Sequence, residues 1–444
     1  MNMKKHRNRI ICFAAIIALM VSMSGCSASS DFAAGVNDIA DVEVEEGAAE
    51  EKTEGKTTSV AEKYDGYAED MTMAMDEGGE ADTIGKDAAQ TPDPSEPESD
   101  KDEKINIPDA GQLTAGEWND NDNWGFFSNL VNAGTISFPS YGVDPRYRTA
   151  VTLTSEDGSP IANAQVRLVD DSGNVLWSAV SDKRGRAYLF ALSDGKPTSI
   201  EVESDGKKQN FEINTQSGDS QGVNETESNE MELIFDGKGT AYKQTDIMFI
   251  MDATGSMSDE MLFLQSEFSA ITDEIGTENT RYSVNFYRDE GEEYVTKCND
   301  FTSDVKELQQ KLNGEKAENG GDTPEAVADI LEKTMFESNW DEESVKLAFL
   351  IFDAPPHEGT EETITAAVKK AAERGIHIIP VVSSNSDRDT ELFARALAIN
   401  TGSTYVFLTD DSGIGDSHLE PIIGSYDVEK LFDIIVRIVN DYRQ

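Results

Sequence analysis

The feature that most constrains the fold is an alternation of apolar strands with amphipathic helices from Thr245 onward. Residues 247–251 form a continuous apolar run, as in strands that are buried on both faces of a sheet. The next apolar residues recur at the spacing of one helix face: Met261, Leu264, Phe268, Ile271 and Ile275. Continued to the end of the chain, the pattern gives the order βαβ(β)ααβαβαβα. This order predicts a Rossmann-like α/β domain over residues 239–444, with an open, mostly parallel sheet and helices on both faces.

The polar residues that follow the predicted strands indicate a metal site. Ligands of such folds bind at the carboxyl ends of the strands. Three separate loops bring two carboxylates and three hydroxyls to that edge, from Asp252, Thr254, Ser256, Thr323 and Asp353. Oxygen ligands with few carboxylates suit a hard cation, above all Mg²⁺. Because only two ligands carry charge, the cation would stay electrophilic and accept a carboxylate from a partner protein.

These five residues resemble the metal-ion-dependent adhesion site (MIDAS) of von Willebrand factor A (vWA) domains. The family pattern is Asp-x-Ser-x-Ser, then a distant Thr and a distant Asp, and here Thr254 replaces the commoner serine. The resemblance spans about 245–442. It implies Mg²⁺ (or Mn²⁺ or Ca²⁺), held directly by the hydroxyls of Thr254 or Ser256 and of Thr323, with Asp252 and Asp353 acting partly through water. Taken singly, these residues also fit helix caps and turns.

Other residues are predicted to frame the same edge. Arg288 and Asp289 lie in the loop 288–292, Asp410 and His418 lie in the long loop 409–426, and His357 follows Asp353 closely. Long loops beside a binding edge often set the choice of partner. We therefore predict that these residues contact a protein ligand; the alternative is that the loops serve only as structural caps.

The N-terminus predicts export. A basic head precedes an apolar run over 10–20, which is too short to span a bilayer and fits a cleaved signal peptide over 1–25. The following Met-Ser-Gly-Cys resembles a bacterial lipobox, which implies lipidation of Cys26 and an extracytoplasmic protein anchored to the bacterial cell membrane. An ordinary secretory signal is the alternative. Residues 26–110 are acidic and poor in large apolar side chains, which predicts a disordered linker.

Residues 111–238 predict a second domain. Short alternating runs separated by turn residues, from Thr149 onward, are typical of a β-sandwich. The stretches 158–166 (GSPIANAQV) and 181–187 (SDKRGRA) resemble carboxypeptidase regulatory-like domains, which are transthyretin-like sandwiches that act as spacers. Four aromatic residues precede them and fit either core packing or a carbohydrate-stacking surface: Trp118, Trp124, Phe126 and Phe127.

Composition and missing motifs exclude several functions. The net charge of −49 argues against nucleic acid as a partner, because phosphate binding needs a basic surface. The turn after the first strand of the α/β domain lacks the glycine fingerprint of a dinucleotide site. His-Glu-x-x-His does not occur, and residues 239–444 contain no Gly-x-Ser-x-Gly run that could form a nucleophile elbow. We therefore expect a non-enzymatic surface lipoprotein that binds or adheres to proteins through a metal. The alternatives are an accessory or assembly subunit of a cell-envelope complex and, less favoured, a hydrolase that uses Asp353 and His357.

Overall fold

The computed structural model describes residues 110–137, 141, 147–191, 195–213, 229–320 and 323–443. The predicted signal peptide, Cys26 and the acidic linker as far as residue 109 lie outside the described residues. Within the described part of the chain, no helix has the length and apolar character needed to cross a membrane.

A mixed, mostly parallel sheet forms the centre of the molecule. Its eight strands stand in the order β11-β10-β9-β12-β13-β14-β1-β15. The strands from β10 to β14 in this order are parallel, whereas β11, β1 and β15 pair antiparallel to their neighbours. The bounds are β1 Thr114–Trp118, β9 Gln244–Asp252, β10 Thr280–Tyr287, β11 Thr296–Lys297, β12 Ser344–Phe352, β13 Ile376–Val382, β14 Tyr405–Leu408 and β15 Glu429–Lys430.

Helices cover both faces of this sheet. Successive apolar residues of β9 point to opposite faces: Phe249 packs with the core formed by α2, α3 and α7, and Ile250 with the core formed by α4, α5 and α6. This explains the continuous apolar run, and it confirms the predicted fold class. The helices are α1 Trp124–Asn132, α2 Ser258–Ile275, α3 Val305–Asn313, α4 Val327–Phe336, α5 Glu361–Arg374, α6 Arg388–Thr401 and α7 Leu431–Arg443.

The segment from 147 to 234 is β-rich, as its alternation predicts. It contains a three-stranded sheet, β5-β2-β8, and a four-stranded sheet, β4-β3-β6-β7. Its apolar side chains belong to the same core as α4, α5 and α6. The likeness to carboxypeptidase regulatory-like domains stays a prediction. The bounds are β2 Arg148–Thr154, β3 Gln165–Asp170, β4 Val175–Val180, β5 Arg186–Phe190, β6 Pro197–Ser204, β7 Lys207–Glu212 and β8 Asn229–Ile234.

Strand β1 does not belong to the β-rich segment. The predicted boundary at 111 assigned it there, but β1 pairs with β14 and β15 in the eight-stranded sheet. A five-residue strand carries no local sign of a partner about 290 residues away, so the sequence pattern alone did not place it. Of the four nearby aromatic residues, Trp124 and Phe127 are buried in the core, Trp118 is half-buried and Phe126 is exposed.

Candidate metal centre

Asp252 is the last residue of β9, and its carboxylate organises the loop that follows. The side chain is fully buried. Its Oδ1 accepts hydrogen bonds from the backbone nitrogen of Thr254 at 2.9 Å and from the hydroxyl of Thr254 at 2.7 Å. The hydroxyl oxygens of Thr254 and Ser256 lie 3.2 Å apart. The first loop of the predicted site is therefore folded around one carboxylate oxygen, with its two hydroxyl groups side by side.

Asp353 follows β12, the neighbour of β9 in the sheet, and reaches the same edge. Its side chain is buried, and the Ser256 hydroxyl lies close enough to act on its pKa. The carboxyl ends of parallel strands share one edge of a sheet, which is why two residues about 100 positions apart meet here. Four of the five predicted residues, Asp252, Thr254, Ser256 and Asp353, are thus brought together.

A third carboxylate, that of Glu325, completes the group and was not predicted. Glu325 is buried, and its backbone nitrogen donates to the carbonyl of Pro355 at 3.1 Å. This bond draws the start of α4 against the loop that carries Asp353. The sequence did contain a signal, since Glu325 stands two positions after Thr323 in the polar run 320–325.

Thr323, the fifth predicted residue, is exposed. It lines a surface cavity of about 350 Å³ together with Pro355 and His357. Among the described residues, no hydrogen bond joins it to the other four predicted residues. The preceding Asp322 lies outside the described residues, so a role for Thr323 in metal binding stays a prediction.

The three buried carboxyl groups repel one another. Burial raises the pKa of Asp252 to about 6. Burial and then the charge of Asp252 raise the pKa of Asp353 to about 7. Burial and then the charges of Asp252, Asp289 and Asp353 raise the pKa of Glu325 to about 9. Among the described residues, no basic side chain forms an ion pair with any of the three buried carboxyls. The cluster of three carboxyls therefore has no counter-charge among the described residues to stabilise its ionised form.

One oxygen of each buried carboxyl has no hydrogen-bond donor among the described residues: Asp252 Oδ2, Asp353 Oδ1 and Glu325 Oε2. Buried polar atoms are nearly always satisfied, so three orphaned acceptors in one place fit a hard cation as the missing partner. Within the described chain, no three carboxylate, imidazole or thiol groups converge tightly enough to hold a metal by themselves. The hydroxyls of Thr254 and Ser256 would therefore have to supply ligands.

Two of the residues that were predicted to frame this edge, His357 and Asp289, contact each other across it. His357 Nε2 lies 2.6 Å from Asp289 Oδ1, which links the loops after β10 and β12. Arg288, by contrast, is buried and donates to Glu315 at 3.1 Å and to the carbonyl of Lys316 at 2.9 Å. Its guanidinium is not available to a partner, because these bonds hold the base of the loop. For Arg288 the structure favours the structural role over the contact role.

The other two residues that were predicted to frame the edge, Asp410 and His418, lie in the long loop after β14. Asp410 is exposed, and its Oδ1 accepts from the backbone nitrogen of His418 at 3.0 Å and pairs with its Nδ1 at 2.8 Å. The side chain of His418 is almost fully buried. Only Asp410 of this pair offers its side chain to solvent, so the two residues stabilise the shape of the loop together.

The model of the von Willebrand factor type A domain family matches residues 246–417. The chain contains a vWA domain. All four of the clustered predicted residues, and Glu325, lie inside the matched region of this vWA domain.

Two solved structures resemble 45% of this chain over 98% of their own length, each at 14% identity. One is the conserved hypothetical protein BatB from Bacteroides thetaiotaomicron, with a TM-score of 0.33. The other is an aerotolerance-related membrane protein from Bacteroides fragilis with multiple mutations to serine, with a TM-score of 0.31. No curated protein matches the sequence.

Proposed function

We propose that the vWA domain binds a protein partner through a divalent cation, Mg²⁺ or else Mn²⁺ or Ca²⁺. The observation that carries this proposal is the set of three orphaned carboxylate oxygens, on Asp252, Asp353 and Glu325. Burying three carboxyl groups without a counter-charge is costly, and no described residue forms an ion pair with them. A cation would remove this cost, which gives the edge a physical reason to bind one.

The cation would be held by Asp252, Asp353, Thr254 and Ser256, with Glu325 beside them and Thr323 as a further hydroxyl. When bound, it supplies an electrophilic centre that accepts a carboxylate oxygen. Neutral hydroxyl ligands leave the cation short of negative charge, and so a carboxylate of the partner completes its coordination. Lipidation of Cys26 would hold this centre at the outer side of the bacterial cell membrane, where the partner is a surface or matrix protein.

An accessory or assembly role in an envelope complex is the second candidate. Extensive packing favours it: the vWA domain shares one core with the β-rich segment, as a rigid scaffold would. A hydrolase that uses Asp353 and His357 is less favoured, because no hydrogen bond joins these two side chains among the described residues and the His357 imidazole contacts Asp289 instead.

Calorimetric titration of the full chain with Mg²⁺ and with Mn²⁺ tests the proposal. We expect saturable binding in the wild type and its loss in Asp252→Ala and Asp353→Ala. Asp273→Ala is the matched control, since Asp273 is an exposed acid on α2 away from the edge. Absence of binding in a folded wild type would shift the assignment to a metal-independent scaffold. If binding is found, partner capture with and without chelator separates adhesion from scaffolding.

A further inference from the structure

Strand β1 contacts both ends of the long loop that follows β14. This loop, residues 409–428, connects β14 to β15, and β1 lies between those two strands. Ala115 stands opposite Leu408 on one side and opposite Glu429 on the other. Strands β14 and β15 do not pair with each other, so the start and the end of the loop are connected through β1 alone within the sheet.

Hydrogen bonds fix both ends of the loop to β1. At the start, Thr409 donates its backbone N–H to the carbonyl of Thr114 at 2.9 Å, and the two threonine hydroxyl oxygens lie 2.9 Å apart. At the end, the backbone nitrogen of Leu431 donates to the carbonyl of Leu113 at 2.9 Å. Two neighbouring residues of the β1 segment thus anchor chain positions more than 20 residues apart.

Side chains continue the contact along β1. A Cβ added at Gly116 would lie 2.4 Å from the Phe407 ring and 2.7 Å from the Tyr426 ring, so glycine is required for this approach. Trp118 packs in the same way against Gly424. Beyond the strand, Asp120 pairs with Arg395, and Arg395 also donates to the carbonyl of Ile422 at 3.0 Å. The second half of the loop therefore rests on the β1 segment.

The same loop contacts the start of α2, which follows the Asp252–Ser256 loop of the proposed metal centre. Gly415 lies against Glu260, so closely that an added Cβ would be 2.7 Å from its Oε1. Glu260 is fully buried in the first turn of α2, four residues after Ser256, and its Oε1 also accepts from the backbone nitrogen of Ser384 at 3.1 Å. Near the middle of α2, Glu267 accepts a hydrogen bond from the backbone nitrogen of Gly111 at 2.7 Å, just before β1 begins.

We propose that β1 is a positioning strand for the metal centre: it holds the 409–428 loop closed, and the loop in turn holds the first turn of α2 through Gly415 and Glu260. The loop's importance for ligand binding rests on the proposed function, whereas the coupling itself does not. Loosening β1 should therefore loosen the start of α2, a segment to which β1 makes no hydrogen bond in the described part of the chain.

Hydrogen–deuterium exchange on the metal-free full chain tests this coupling. Gly116→Ala introduces the clash with Phe407 and Tyr426, and Gly125→Ala is the matched control, because an added Cβ there meets nothing within 4 Å. We expect at least tenfold faster exchange in 409–428 and in 258–262 for Gly116→Ala only. Faster exchange confined to 113–118 would overturn the proposal, because β1 would then be a passive edge element.

Thr114→Val provides a second, milder variant that decides the matter if Gly116→Ala does not fold. It keeps the side-chain shape and removes the hydroxyl contact with Thr409. The same two regions should exchange faster, and unchanged exchange in both would overturn the proposal. Since no metal is present in these measurements, their outcome is independent of whether the centre binds one.

Discussion

Arg395 and Asp120 form a two-bond ion pair in the interior of the protein. Arg395 Nε and Nη2 donate to the two oxygens of the Asp120 carboxylate, each at 2.8 Å, and the two side chains are 0% and 2% exposed. The pair connects the segment after β1 to α6. Its geometry is the fork-to-carboxylate arrangement that makes such pairs strong when both partners are present.

Removing one member of this pair should be strongly destabilising. Asp120→Ala leaves the Arg395 charge buried with less compensation, and we expect the free energy of unfolding to fall by about 3–5 kcal/mol. Asp122→Ala is the control, because Asp122 pairs with Arg186 at 2.6 Å but is 45% exposed, and exposed pairs contribute about 1 kcal/mol or less. Urea denaturation measures both. Equal losses in the two variants would show that burial does not set the strength of the Arg395 pair.

Magnesium should stabilise the wild type and not the Asp252→Asn variant. A ligand that binds only the folded state adds about 2.7 kcal/mol at a concentration of 100 times its Kd. Asp252→Asn removes one negative charge from the cluster of three buried carboxyls. Because the repulsion between them then falls, the metal-free variant should unfold at a higher temperature than the metal-free wild type. Thermal unfolding with saturating Mg²⁺ and with chelator checks both expectations, with Asp273→Asn as control. A Mg²⁺ response retained in Asp252→Asn would contradict this role for Asp252.

Acidification should destabilise the fold through His377. This histidine is buried on β13, where its Nδ1 lies 2.9 Å from the carbonyl oxygen of Thr401. Burial lowers the pKa of its imidazole below 6.5. The unfolded chain therefore takes up the proton first. The stabilising contribution is fully present above pH 6.5, and it is lost as the pH falls toward the folded pKa, at up to about 1.4 kcal/mol per pH unit.

His377→Gln isolates this effect from the buried carboxyls, whose raised pKa values act in the opposite direction. The difference in unfolding free energy between wild type and variant should shrink from pH 7 to pH 5. Denaturation at several pH values measures it. A difference that stays constant over this range would mean that His377 is protonated equally in both states.

Gly185 should tolerate no side chain. It has φ of +76°, and an added Cβ would lie 2.2 Å from the carbonyl oxygen of Leu153. Gly173 has a similar φ of +84° but meets nothing within 4 Å, so Gly173→Ala carries only the backbone strain. We expect Gly185→Ala to cost about 1–3 kcal/mol more than Gly173→Ala, because overpacking adds to the strain. Matching losses, measured by denaturation, would contradict this explanation.

The sequence predicts the parts of the structure that depend on local pattern. The apolar run of β9 and the helical spacing of α2 are properties of adjacent residues, and so the order of elements could be predicted. Asp252 and Asp353 could be placed together because a parallel sheet brings its strand ends to one edge. The burial of Glu325 could not be predicted, since it depends on a backbone bond to Pro355 from a different loop. The same limitation applies to β1, which is defined by its partners and not by its own composition.

The position of β1 also has a consequence for how the protein is made. Thr114 and Thr409 are separated by 295 positions, yet they are in contact. A ribosome releases β1 long before either of its neighbours exists, so the central sheet stays incomplete until residue 430 has been synthesised. Contacts of such long separation slow folding, and the edge of β14 would expose unpaired backbone N–H and C=O groups in any product that starts at residue 239. The first strand of the described residues to be synthesised is therefore among the last to pair with its neighbours.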